Sequence, residues 1–129
     1  GARARYTVRK LFDYARDRPD GVRLLLGRRE DGPGAGARLY AGLEPRIAER
    51  LRKNYAEQGA TIGSGADTLA SLLLVICLDV AHRALFVDGS DIDAACDLAT
   101  TAVLAVLRDI SPEQLMAIEN SLDTGRSRA

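Results

Sequence analysis

The sequence predicts an all-α fold: a helical bundle whose last two long helices form a dimeric four-helix bundle. Three observations predict it. Asp67 to Val87 is apolar over most of its length, enough for about six helical turns at 1.5 Å per residue. A short turn built on Asp88-Gly89 separates it from a second apolar, alanine-rich stretch, Ile92 to Ile110. No stretch alternates apolar and polar residues with period two over a useful length, so no strand is expected.

The 129 residues suit a single domain, taken as 1–129. Acidic and basic residues balance at 18 each, which gives no argument for direct contact with nucleic acid or an anionic membrane. The N-terminus GARARYTVRK has no apolar core of a signal peptide. Leu69 to Leu78 is too short to span a bilayer before Asp79, His82 and Arg83 interrupt it. A soluble, cytoplasmic protein without a membrane partner is expected. Two cysteines, Cys77 and Cys96, do not make a disulfide framework and read as buried free thiols.

Ala4 to Arg18 reads as a first helix, because Val8, Leu11, Phe12 and Ala15 make one apolar stripe. Pro19 ends it and can open the next, a short helix over Gly21 to Gly27. Arg28 to Gly36, with three glycines and a proline, reads as a loop. Ala37 to Gln58 reads as an amphipathic helix with Leu39, Leu43, Ile47 and Leu51 every four residues. Pro45 inside it predicts a kink or break near Gly42–Glu44, and Gly59 a C-terminal stop.

Ser64 with Asp67 three residues on predicts a capping box for the central helix. Ser90 is expected to cap the next, with Asp91 and Asp93 favourable at its positive end. Ser111-Pro112-Glu113-Gln114 is a further helix start, with a helix from Pro112 to about Leu122 and a frayed tail over 123–129.

The two long helices, joined by so short a turn, must pack antiparallel. Apolar surface then remains, and a second copy of the chain is expected to cover it. The expected dimer interface comprises Leu69, Leu72, Leu73, Ile76 and Val80 on the central helix and Ala95, Ala99, Ala102, Val103 and Val106 on the next.

Catalytic and metal chemistry find no constellation. His82 is the single histidine and has no nucleophile motif beside it, although Asp79 and Phe86 share its helix face. One His and two apolar-run Cys lack metal-ligand spacing. Phosphate-binding glycine motifs are missing, since Gly32–Gly36 follows no strand. The Arg46, Arg50 and Lys53 face reads as solvated surface with acidic residues interleaved. No enzyme, metal or cofactor is expected.

The order of junctions is more telling. YARDRPDGVRLLL, a charged helix after it, a long apolar helix, a tight DGS turn and a second apolar helix together resemble the regulatory domain of TetR-family transcriptional regulators over roughly Arg3 to Ile110. Nothing here matches that family's N-terminal helix-turn-helix domain. The resemblance therefore implies a dimeric domain that senses a small, mostly apolar effector, with DNA contacted only through a domain upstream of Gly1. It also implies a pocket among the helices. Candidate lining residues are Phe12, Tyr14, Leu25, Tyr40, Leu43, Ile47, Leu74, Cys77, Leu78, Ala81 and Phe86, with polar orientation from Tyr14, Tyr40, Asp79 or His82. The alternative is a helical interaction or scaffold domain with a solid core and no small ligand.

Overall fold

The computed structural model describes residues 2–22 and 35–128, with side chains described for 2–22 and 42–121. Among the described residues every regular element is helical. The elements are α1 (Ala2–Asp17), α2 (Ala35–Glu57), α3 (Gly65–His82), α4 (Ile92–Asp109) and α5 (Pro112–Arg128). Residues 19–22 are helical as well, with Pro19 opening the segment after α1.

α3 is the element on which α1, α2, α4 and α5 all pack. Its sequence explains why it can serve them all. Ala66, Leu69, Ala70, Leu73, Cys77 and Ala81 recur at helical spacing and enter the main core with Val8, Phe12 and Ala15 of α1, Leu51 and Tyr55 of α2, and Cys96, Ala99 and Val103 of α4. Leu74 and Leu78, one position round, form a second cluster with Leu11, Tyr14, Leu43 and Ile47. A single stripe, Thr68, Leu72, Asp79 and Arg83, is left to solvent. Gly65–Val87 is long and apolar enough to cross a membrane by length and composition. The same description fits the central helix of a bundle, which is its place here.

Several expectations about helix ends change. Ser64 makes no side-chain cap for α3, and its backbone is already helical. Glu119 of α5 takes that role instead: its Oε1 accepts from the Gly63 and Gly65 amides at 2.6 and 3.0 Å. Asp67 is engaged by Arg52 of α2 at 2.8 Å. At α4 the capping residue is Asp91, whose side chain accepts from the Asp93 amide, and not Ser90. The sequence lists acceptors near a helix start; which one caps depends on where the incoming chain and a neighbouring helix place them.

Other junctions stand as read. Ser111 and Gln114 exchange both bonds of a capping box, at 2.8 and 3.3 Å. Gly59 adopts φ 83° just past α2, and the Ala60 amide returns to the Tyr55 carbonyl at 2.8 Å, which closes the helix. The long helix of α3 ends in one π turn, Arg83–Val87, where the Asp88 amide bonds to the Arg83 carbonyl, before Gly89 at φ 61°.

α2 runs unbroken through Pro45. Gly42 and Pro45 both face solvent, so water can satisfy the backbone bond that proline removes. Ala35 and Gly36, expected in the loop, already belong to α2. The rest of that loop, at residues 28–34, lies outside the described residues. The last helix continues to Arg128, over the stretch expected to fray.

Candidate functional site: a cleft between the first and second helices

A cleft of about 620 Å³ separates α1 from α2 and reaches down to α3 and α4. Its volume falls in the range of about 300–1,000 Å³ common for small-molecule sites. The inner walls are apolar: Val8, Leu11 and Tyr14 from α1, and Leu43, Ile47 and Leu51 from α2. Leu73, Leu74 and Cys77 of α3, with Val103 and Leu107 of α4, close the bottom.

The mouth has a different chemistry. Arg3, Thr7 and Lys10 of α1 face Arg46, Arg50 and Asn54 of α2. Helical spacing produces this division. Leu43, Ile47 and Leu51 form one four-residue ridge of α2, and Arg46, Arg50 and Asn54 form the adjacent one. Among the described residues, no acidic side chain lines the cleft. Arg50 Nη1 donates to Thr7 Oγ1 at 3.0 Å, and that hydroxyl donates to the Arg3 carbonyl at 3.0 Å. This chain of bonds ties the two helices together across the mouth. Lys10 Nζ stands 5.4 Å from the Tyr6 ring. A shallow outer groove that includes Tyr6, Pro45, Glu49 and Lys53 shares Arg3, Arg46 and Arg50 with the cleft.

Cys77 supplies the one thiol in the cleft wall. Burial pushes it up to about 12, with the nearby Cys96 adding a smaller push in the same direction. It is therefore a neutral thiol near pH 7 and acts as apolar wall, not nucleophile. Both cysteines are free and buried. Among the described residues no group of three potential metal ligands comes together.

The expected ligand residues divide. Tyr14, Leu43, Ile47 and Cys77 line the cleft, as does Leu74. Phe12, 2% exposed, points into the core instead. Leu78 packs directly behind the lining residues Tyr14, Leu43 and Ile47. Ala81 is core. Asp79, His82 and Phe86 lie outside the lining, near the far end of α3; Asp79 is exposed, and the His82 and Phe86 rings pack on each other with centroids 5.3 Å apart. The polar end of the cleft comes from α1 and α2, not from that helix end. Leu25 and the Tyr40 side chain lie outside the described residues.

The expected interface residues divide too. Leu69, Leu73, Ala99 and Val103 are buried within the chain itself, which leaves little of them for a second copy to cover. Val80, Ala95 and Val106 are half-buried against the same core. Ile76 and Ala102 are half-buried, and Leu72 remains 43% exposed. Leu98 of α4 is exposed at 63%.

No family model matches the chain, and neither a curated protein nor a solved structure shows significant similarity to it.

The cationic mouth is the part that sequence reading missed. Arg46 and Arg50 were visible as a charged ridge, but a charged ridge is ordinarily solvated surface. The signal within it was the spacing to the Leu43/Ile47/Leu51 ridge, which sets the charges beside an apolar wall. That meaning depends on α1 standing opposite.

Proposed function

We propose that this chain is the effector-sensing and dimerisation domain of a TetR-like transcriptional regulator, cytoplasmic, with DNA bound through a domain outside this sequence. The observation that carries the sensing half is the cleft: about 620 Å³, apolar at the bottom and polar at the mouth. A scaffold domain has no need to hold two helices apart over its own core. Burying an apolar ligand there would contribute roughly 25 cal/mol per Å² of surface removed from water. It would also bridge α1 and α2, which changes the spacing of anything attached to their ends.

The dimerisation half rests on the α3–α4 hairpin. Leu72 and Leu98 leave apolar surface exposed on both of its helices, beside the half-buried Ile76 and Ala102. Pairing two hairpins into a four-helix bundle would cover them.

A thermal-shift screen of uncharged and charged apolar compounds tests the reading. A selective binder should raise the melting temperature, because it binds only the folded state. A flat screen over acyl, aromatic and terpenoid compounds would sink the sensing role and leave a helical interaction domain.

A further inference from the structure

We infer that the occupant of the α1–α2 cleft is an amphipathic anion, an apolar body with a carboxylate or similar head, held with its charge at Arg46 and Arg50. This deepens the effector-sensing reading and rests on it.

The argument is one of charge and position. Four cations, Arg3, Lys10, Arg46 and Arg50, stand at the mouth of a cleft to which no acidic side chain among the described residues contributes. Among the described residues, five arginines outside the cleft are matched by acids, while Arg5 and Arg18 make no ion pair. Arg9 meets Asp13 and Asp93, Arg16 meets Asp13, Arg52 meets Glu49 and Asp67, and Arg108 meets Asp109. None of the four mouth cations makes an ion pair among the described residues. Glu49, which borders the outer groove, is turned toward Arg52 at 3.6 Å.

Arg46 and Arg50 are also like charges at i, i+4, an arrangement that weakens a helix. Here an incoming anion would offset that repulsion, and the apolar wall beside the two arginines would take its body. Arg50 is already oriented by its bond to Thr7, so its guanidinium keeps free donors for a carboxylate. An uncharged ligand would leave this set without a counter-charge. A cationic one would be repelled.

The test compares octanoate, octanol and octyltrimethylammonium, one chain length with three heads, by calorimetric titration of the whole chain at pH 7 and low salt. Octanoate should bind about tenfold more tightly than octanol, and the ammonium compound more weakly than either. Raising the salt should weaken octanoate and spare octanol. The double variant Arg46→Gln/Arg50→Gln, checked for native circular dichroism, should bind octanoate no better than octanol. Equal binding of octanoate and octanol by the unaltered protein would overturn the anionic occupant while leaving an apolar sensing cleft in place. Preference for the ammonium head would do the same. Binding of none of the three, together with a flat screen of wider apolar compounds, would overturn both readings.

Discussion

Gly65 lies against the backbone of Leu115 so closely that a Cβ on it would meet the Leu115 carbonyl oxygen at 2.7 Å and the Leu115 Cβ at 2.9 Å. The first turn of α3 and α5 therefore touch backbone to backbone. Leu115 and Glu119 are four apart, on one face of α5. The approach at Leu115 thus delivers Glu119 to the open amides of Gly63 and Gly65. One missing side chain sets both the docking of α5 and the cap of α3.

Gly65→Ala should therefore destabilise the fold by about 1–3 kcal/mol, the usual cost of forced overpacking. The obstacle is backbone, which cannot rotate away. Gly42 is the control. Nothing stands within 4 Å of a Cβ there, and the residue is helical. Gly42→Ala should stabilise by about 0.4–1 kcal/mol. Urea unfolding of the two variants should move the midpoint in opposite directions; a shift in the same direction would contradict this packing.

Glu119→Ala should cost about 1–2 kcal/mol, as expected for a charged cap that satisfies two amides at a helix start. Ser64→Ala, at the position favoured by sequence alone, should cost far less, since its side chain makes no capping bond. Thermal melts of the two variants distinguish them. A larger loss at Ser64 would restore the local capping box.

Stability should fall on the alkaline side. The folded state holds the Cys77 proton up to about 12, against an ordinary thiol near 9.0. An unfolded chain gives that proton up above pH 9 while the folded chain keeps it, so unfolding is increasingly favoured between pH 9 and 12. The slope is roughly 1.4 kcal/mol per pH unit at most. Tyr55, raised by burial and bonded to the Ile110 carbonyl at 3.4 Å, adds in the same direction above pH 10. Denaturant midpoints of Cys77→Ala and the parent across pH 8 to 11 should converge as pH rises; parallel curves would show that Cys77 is not the group responsible.

If the proposed dimer pairs through the α3–α4 hairpin, Leu72→Asp and Ile76→Asp should each leave a monomer at micromolar concentration, read by light scattering after size exclusion. Each removes an apolar contact worth roughly 1.5–3 kcal/mol per subunit and places a charge in a self-complementary face. Folding of the monomer should survive, because neither residue belongs to the buried core. A dimer that persists in both variants would put the interface elsewhere.

Much of this was present in the order of residues. Periods near 3.6, the turns at Gly59 and Gly89, and the Ser111–Gln114 box are local, so sequence alone specifies them. The apolar length of Asp67–Val87 likewise marked the helix that others would pack on. Tertiary structure decided what that spacing leaves open. An apolar residue at the right period can face a core, a cleft or another subunit, and only the neighbour opposite distinguishes them. Leu69 went to the core and Leu72 to solvent, three residues apart on one helix. Caps obey the same limit, since Glu119 reaches Gly65 from 54 residues away. The cationic mouth is the clearest case. Arg46 and Arg50 became a candidate site only when α1 was set across from them, with no acid among the described residues between.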